Sequence, residues 1–450
     1  MMSNRLVAAA IGGFLTIVIS TAPAFAQWTT AQRRPERPYR GLFASGADDA
    51  GQSLIASGSV GGGYDSNVFA DLGAAGSGIV NDPRFARPGV VGSATGALEY
   101  ALRHDRLDVG ASFGDAFRYY PQNSQTSINS YAETAGIDYH ASRRTSFGAT
   151  QYVAYQPFIL SLFPSFFEPS PGELNLPPID LAPGLVSYLT YGAGARITHS
   201  LSRRVSMYGG YNAERSNTPY VNTSLSQQGG NAGVRVGLSK YVGLRMGYQR
   251  LEGRYAGRAN TVVMETYDIG IDLQKALSVS RRTTLSLASG TSAIENTQAQ
   301  NNVGERTYFI TGSARLNHEI GRTWHTSVGY DRSVQFVDTL LAPVLSDSIS
   351  GNLGGLFSRR VDFNSGVQAS FGTVGFSNPG AEQRFHTYQG FASLGYAFNR
   401  TANLSLSYSA YTYRFDTQTL LPTGIARDFG RQSVRLNLNL WKPLVNKRRT

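Results

Sequence analysis

The chain has 450 residues, no cysteine, and a formal net charge of +11 at pH 7. The lack of cysteine excludes disulfides, thiolate metal sites and cysteine nucleophiles. Charged residues make up only 16% of the chain, whereas glycine (50 residues) and tyrosine and phenylalanine (25 and 23) are abundant; this is unusual for a soluble protein. The positive net charge predicts attraction to anions in general.

The first 26 residues predict a secretory signal peptide. An apolar stretch at 6–19 is followed by the small-residue cleavage signature Ala-Phe-Ala at 24–26. An uncleaved anchor helix is the alternative. Residues 27–52, which contain "QRRPERPYR", predict a basic, proline-rich periplasmic lead. No later apolar run is long enough for a transmembrane helix, and export without cysteine suits a bacterial envelope.

A short basic motif recurs along the rest of the chain. Ser-Arg-Arg occurs four times, with its serines at 142, 202, 280 and 358. Related basic marks lie at 102–106, 238–242, 319–323 and 397–401, so that a mark recurs about every 39 residues, except that the interval from Ser142 to Ser202 is longer by about 20. A fixed period of this size indicates one supersecondary unit that is repeated.

Between the basic marks, apolar residues alternate with polar or small ones, as in "VRLNLNLW" (434–441) and "YDIGIDLQ" (267–274). A period of two indicates strands. The pattern predicts eighteen strands joined by eight short turns and nine longer loops. The predicted strands are 53–65, 89–102, 106–119, 128–141, 144–157, 185–199, 204–215, 225–239, 242–255, 262–276, 282–295, 305–319, 323–336, 346–358, 360–373, 384–398, 402–415 and 431–441.

Long strands, an even strand number, and short turns at one end with longer loops at the other are typical of a transmembrane barrel. We therefore expect an all-β fold: an antiparallel up-and-down β-barrel of about 18 strands over 53–441, with short periplasmic turns and longer extracellular loops. The apolar rows would face lipid and the polar rows a lumen, and the sheet must close because a bilayer leaves no backbone group unpaired. A soluble β-solenoid or sandwich array is the alternative.

Three further features complete the predicted layout: an aromatic girdle, a long loop and a C-terminal tail. Trp324 and Trp441, near the turns, predict an aromatic girdle. The proline-rich segment 157–184 predicts the longest loop, which we expect to narrow the mouth. Residues 442–450 predict a basic C-terminal tail. The alternation slips in "AYTYRF" and "TQYVAY", which indicates either bulges or inward-facing tyrosines.

The arginines of the recurring motif are expected at periplasmic turns. Their stems can lie along lipid while the guanidinium groups reach headgroup phosphates. The turns would then mark the membrane boundary. A docking surface for an acidic periplasmic partner is the alternative.

The stretch "GGGYDSNVFA" (61–70), at the end of the first predicted strand, resembles the outer-membrane β-barrel porin families of Gram-negative bacteria, in which Tyr-Asp-x-Asn-Val occurs early in the barrel. The matching residues are Tyr64, Asp65 and Asn67. Because members of these families often accompany exopolysaccharide export systems, the resemblance implies an outer-membrane exit for a polysaccharide, with a periplasmic export component as partner. Taken alone, the three residues predict an interface tyrosine followed by an Asx-type turn.

No motif points to catalysis. The chain has no phosphate-binding loop, and none of its six histidines has metal-ligand spacing. We predict no enzyme activity, no cofactor, no metal and no nucleic-acid partner. A lipid-cleaving barrel with a Ser-His-Asn arrangement is the alternative, because such residues meet only in space.

What remains is a passive conduit for small or polymeric, anionic solutes, surrounded by outer-membrane lipid. Strand parity predicts that a set of charged residues points into the lumen in its periplasmic half and gives it a positive bias. This set is Arg196, Arg235, Arg245, Arg315, Arg435, Asp108, Asp138, Asp272 and Asp362. The alternative is that these residues pair across strands and only stiffen the wall. The alternative function is a loop-plugged barrel that acts as a surface anchor or partner platform.

Overall fold

The computed structural model describes most of the chain from residue 41 onward. The described ranges are 41–45, 50–66, 88–121, 126–158, 183–217, 224–239, 241–255, 261–276, 282–297, 306–337, 342–374, 383–416 and 427–448. The predicted signal peptide, most of the predicted lead and most of the loop at 157–184 lie outside these ranges. No helix among the described residues is long and apolar enough to cross a membrane.

Eighteen antiparallel strands form one sheet. They are β1 (Ala50–Asp65), β2 (Gly89–Arg103), β3 (Leu107–Tyr120), β4 (Thr126–His140), β5 (Thr145–Phe158), β6 (Pro183–Ser200), β7 (Val205–Asn217), β8 (Leu225–Gly237), β9 (Val242–Tyr255), β10 (Thr261–Ala276), β11 (Thr283–Thr297), β12 (Arg306–Ile320), β13 (Trp324–Val337), β14 (Ala342–Leu356), β15 (Val361–Val374), β16 (Arg384–Ala397), β17 (Ala402–Phe415) and β18 (Asp428–Arg448). Each strand pairs with its neighbours in sequence, and β1 also pairs with β18, which closes the sheet into a barrel. The predicted fold class and strand number are confirmed.

The two faces of the wall differ as the alternation requires. On β18, Leu436, Leu438 and Leu440 point outward and are about half exposed, whereas Arg435 and Asn437 point inward. Large exposed apolar side chains cover the outer face of other strands in the same way, for example Ile310 at 71% exposure. An exterior of this kind is stable only against lipid. The barrel therefore spans a membrane.

Three of the four Ser-Arg-Arg copies form tight turns at one end of the barrel, and the serine holds each of these turns; Ser280 of the fourth copy lies outside the described residues. The Oγ of Ser142 accepts hydrogen bonds from the backbone N–H groups of Arg144 (3.1 Å) and Thr145 (3.0 Å). Ser202 and Ser358 make the same pair of bonds in their own turns. The turn arginines are exposed. The serine hydroxyl thus stabilises the turn, and the arginine side chains are exposed at the end of the barrel.

The end of the chain differs from the prediction. β18 continues to Arg448, and 442–448 pair with the start of β1, so this segment is strand and not tail. Trp441 has inward parity and is buried, so it does not belong to the lipid-facing girdle. Trp324 does, because it shares the outward parity of Tyr330 and its ring contacts Phe357 of the adjacent turn edge-to-face at 4.9 Å and the tilted ring of Phe363 at 6.1 Å.

The two irregular stretches are resolved in favour of inward tyrosines. The β16–β17 register is continuous through "AYTYRF", and Tyr411 and Tyr413 share the inward parity of Ser409. Tyr152 is inward in the same way, whereas Tyr155 is outward and stacks on Tyr131 at 5.5 Å.

A hydrophobic core lies at the loop end, inside the closed sheet. Its buried members are Leu225, Leu251, Tyr255, Val262, Met264, Ile294, Val334 and Leu345, and Phe309 and Phe336 pack against it. The interior is therefore not uniformly polar, contrary to the alternation-based expectation for the polar rows.

Candidate functional site

The inner face of the wall carries most of the residues predicted for the site, and two of the predicted arginines are ion-paired there. Arg196 on β6 reaches across β5 to Asp138 on β4. The pair lies directly over Gly148, where any side chain would collide with both partners. Glycine at this position thus allows a cross-strand ion pair to lie flat against the wall.

A second ion pair begins three strands further round the barrel, on β9. Arg245 on β9 binds the carboxylate of Asp268 on β10 in a bidentate manner, with Nη2–Oδ1 at 2.9 Å. Asp268 was not among the predicted residues, although its parity is inward. Arg235 on β8 lies directly opposite Arg245 in the register, so two arginines are neighbours on the inner face.

The remaining predicted residues have inward parity but form no single cluster. Arg315 on β12 pairs with Gly329, diagonal to Asp331 on β13. Asp108 on β3 is directly opposite Asp138, and its carboxylate is 3.8 Å from the imidazole of His140.

Asp362 on β15 lies over Gly395 on β16, where an added side chain would collide with its carboxylate. The backbone of Asp272 pairs with Gly243, but its side chain lies outside the described residues.

A buried group of charged residues near the loop end of β1, β3 and β18 was largely missed by the sequence analysis. Arg431 holds Asp65 through Nε–Oδ1 (2.8 Å) and Nη2–Oδ2, and the two side chains are 1% and 0% exposed. Arg435 and Arg118 are 3% and 2% exposed on the same inner face. Arg435 pairs with Gly63, so it lies higher in the barrel than predicted. Parity could have found Arg118, since Phe117 and Tyr119 on either side of it point outward.

This group, which we call the upper arginine cluster (Asp65, Arg118, Arg431 and Arg435), explains part of the sequence motif. The carboxylate of Asp65 is bound by Arg431 across the β1–β18 seam, a contact that the isolated motif did not predict. The residues that would complete the predicted Asx-type turn beyond Ser66 lie outside the described residues. Tyr64 points outward and is 52% exposed. Asn67 lies outside the described residues. Gly63 carries no side chain, and the stem of Arg435 lies over it.

The formal charges of the inner face are nearly balanced. The inward arginines are Arg103, Arg118, Arg196, Arg235, Arg245, Arg315, Arg431 and Arg435, and the inward acids are Asp65, Glu99, Asp108, Asp138, Glu214, Asp268, Glu319, Asp331 and Asp362. The predicted positive bias is therefore not spread over the described wall. Three of the inward arginines, Arg118, Arg431 and Arg435, are buried toward the loop end of β3 and β18, where Arg431 is paired with Asp65.

A neutral polar ladder lines the inner face of β14, β15 and β16. Ser348 Oγ is 2.8 Å from Ser370 Oγ, Gln368 donates to Ser370 at 3.2 Å, and Gln389 donates to Gln368 at 2.5 Å. Hydroxyl and amide groups that bond one another give a wall that is polar but uncharged. This side of the lumen contrasts with the upper arginine cluster.

Two histidines at the turn end have structural partners. His199 Nδ1 is 2.9 Å from Thr145 Oγ1, and His318 Nδ1 is 2.7 Å from Thr283 Oγ1. No group of three or more histidine, aspartate or glutamate residues that could hold a metal ion occurs in the described part of the chain.

No protein-family model and no curated protein sequence matches the chain. Solved structures with a similar fold include Acinetobacter baumannii OccAB3 (12% identity, TM-score 0.43, covering 87% of this chain and 99% of that chain). They also include Pseudomonas aeruginosa OpdQ (8%, 0.42, 88% and 98%) and Pseudomonas aeruginosa OccK2 (OpdF) in complex with glucuronate (9%, 0.44, 90% and 100%).

Proposed function

We propose that the protein is a channel of the bacterial outer membrane through which small solutes pass passively. One observation carries the proposal: the sheet closes with apolar side chains outside and polar side chains inside along eighteen strands. A barrel of this size is too wide for wall side chains alone to fill, and comparable barrels enclose water. Export by the predicted signal peptide accords with this location.

The conduit prefers anions, and the preference comes from the upper arginine cluster. Arg118 and Arg435 concentrate positive charge on one side of a low-dielectric wall, where the field is focused, whereas Arg431 is paired with Asp65. The ion pairs Arg196–Asp138 and Arg245–Asp268 act on selectivity less, because each arginine has a carboxylate at contact distance. The other predicted lumen residues adjust the electrostatic potential in the turn-end half of the lumen. They are Arg235, Arg315, Asp108, Asp272 and Asp362.

The membrane partner of the turn end is phospholipid. Leu201 and Phe357, each directly before the serine of a Ser-Arg-Arg turn, are 51% and 63% exposed, and the following arginines are also exposed. An apolar side chain next to two guanidinium groups fits the boundary between acyl chains and headgroup phosphates.

A structural barrel without an open conduit is the second candidate, and one observation favours it. Inward-facing side chains near the loop end, among them Tyr120, Phe385, Tyr413 and Phe415, are at most 3% exposed. Such burial indicates that the mouth is at least partly filled. A barrel plugged in this way would serve as a surface anchor or partner platform.

Conductance separates the two candidates. Purified protein in planar bilayers should give stable single-channel steps, with a reversal potential in a KCl gradient that shows anion preference. The double variant Arg118→Gln and Arg435→Gln should lose that preference and keep the steps. A folded barrel that gives no steps would contradict the channel and support the plugged barrel.

The solute class is tested in the same bilayers. A small sugar acid at millimolar concentration should block the current transiently, as expected of a small-solute channel. Block by a long acidic polysaccharide, with long dwell times, would instead favour the polysaccharide exit and its periplasmic export partner, which the motif resemblance implies. We propose no enzymatic activity.

A further inference from the structure

The wall is interrupted at one place near its loop end. Pairing between β12 and β13 ends at Gly312 and Arg332, although both strands continue beyond it. β13 stays paired with β14 up to Val337 and Ala342. Residues 333–337 of β13 have therefore separated from β12, whereas β14 remains paired with β15 up to Val344 and Val374. The paired strand ends 333–337 and 342–346 are called the upper hairpin.

Two residues of this upper hairpin are buried although their parity places them on the lipid-facing side of the wall. Val334 and Leu345 are directly opposite each other and share the outward parity of Tyr330 and Ile349 lower in the hairpin. Tyr330 and Ile349 are 40% and 53% exposed, as lipid-facing residues should be. Val334 and Leu345 are only 6% and 9% exposed. Their outward face must therefore be covered by another part of the protein.

The cover is the inner face of β8 to β12. Val334 and Leu345 belong to one cluster with inward-facing residues of those strands, namely Leu225, Leu251, Tyr255, Val262, Met264 and Ile294, against which Phe309 also packs. The ring of Phe336 lies 6.5 Å from that of Tyr255 on β9, four strands away round the wall. Such contacts require the hairpin to lie inside the barrel.

Gly253 makes this arrangement possible. A Cβ at Gly253 would lie 2.9 Å from the Phe336 ring, closer than real contacts allow. The absence of a side chain at Gly253 therefore allows the ring of Phe336 to pack directly against the backbone of β9. Several fully buried aliphatic and aromatic side chains then hold the hairpin there through apolar contact.

We propose that the paired strand ends of the β13–β14 hairpin, residues 333–337 and 342–346, form a fixed constriction inside the lumen, seated on β8 to β12 by an apolar core. The inference rests on the proposed channel function. At this level the passage is displaced toward the rest of the wall, which includes the upper arginine cluster. On the other face of the hairpin, Val344 and Ser346 are also buried, at 2% and 4% exposure. The hairpin is therefore packed on both faces and sets the width of the passage at this level.

Cross-linking tests the position of the hairpin without any assumption about transport. The chain has no cysteine, so the pair Gly253→Cys and Phe336→Cys introduces its only thiols. Bismaleimidoethane should link them in the folded barrel. The control pair Gly253→Cys and Phe371→Cys should stay unlinked, because Phe371 is a lipid-facing residue of β15. Free thiols in the first pair, both open to maleimide, would overturn the proposal.

Conductance then tests the constriction. The variant Phe336→Ala with Val334→Ser should release the hairpin and raise single-channel conductance about twofold. The matched control Phe371→Ala should conduct as the wild type does, and heat-modifiable migration shows that each variant is folded. Equal conductance in wild type and hairpin variant would overturn the constriction and leave the channel standing. Absence of conductance in both would overturn the proposed function, and the constriction with it.

Discussion

The ion pair between Asp65 and Arg431 should stabilise the closed barrel strongly. Asp65 is the last residue of β1 and Arg431 lies on β18, so the pair joins the two strands that close the sheet. Both side chains are almost completely buried, and two contacts join guanidinium and carboxylate. Removing one member of such a pair leaves the other charge buried without its partner, which costs about 3–5 kcal/mol.

The perturbation is Asp65→Asn, which keeps the shape of the side chain and removes its charge. We expect the free energy of unfolding to fall by about 3–5 kcal/mol, or roughly a hundredfold to a few thousandfold in the folding equilibrium. Urea-driven unfolding and refolding in lipid vesicles, followed by tryptophan fluorescence, measures the change. The double variant Asp65→Asn with Arg431→Met should recover much of the loss, because it buries no unpaired charge.

A rim pair provides the matched control. Arg414 and Asp428 also join two neighbouring strands, at 3.6 Å, but their side chains are 66% and 64% exposed. Exposed pairs are worth less than about 1 kcal/mol, so Asp428→Asn should change stability little. If Asp65→Asn costs no more than Asp428→Asn, burial does not govern the seam pair and the reasoning above is wrong.

Three further outcomes follow from the two faces of the wall and from its turns. Leu436→Arg should lower the stability of the barrel in vesicles by about 2–4 kcal/mol because its side chain faces lipid, whereas the adjacent, inward Asn437→Arg should be tolerated; equal losses would contradict the assignment of faces. Ser358→Ala removes the acceptor of two backbone N–H groups in an exposed turn and should cost about 0.5–1.5 kcal/mol in the same assay, whereas Ser358→Asn should retain most of that stability. Arg196→Gln should shift the reversal potential toward cations by exposing the charge of Asp138, and Arg196→Gln with Asp138→Asn should restore it; a shift that persists in the double variant would show that Arg196 acts on permeant ions directly.

Several features of the fold could be predicted because they depend on local pattern. The alternation in "VRLNLNLW" places the leucines on one face whatever the tertiary context, since successive side chains of a strand point to opposite sides. The spacing of the basic turns set the number of strands, because each interval of about 39 residues holds two strands and the loop between them. The bounds of β9 and β17 agree with the prediction to the residue. Where the pattern weakened, at the end of β18, the predicted boundary failed.

The candidate site was less predictable because it depends on which strands become neighbours and where they end. Parity placed Arg196 and Asp138 on the inner face, but only the register shows that Gly148 lets them meet. Asp65 and Arg431 are separated by 366 residues in the chain. No local pattern relates them, and the contact exists only because β1 and β18 close the sheet.

By itself, the sequence determined the strand pattern, the two faces of each strand and the turns at one end, because each is set by residues within a few positions of one another. Only the tertiary structure decided which charges pair, how the seam is held, and that Val334 and Leu345 are covered rather than exposed to lipid. The alternation along β13 and β14 predicts that the side chains of Val334 and Leu345 point toward lipid. They lie inside the barrel instead, because burying apolar surface against β8 to β12, which are distant in the sequence, is favourable.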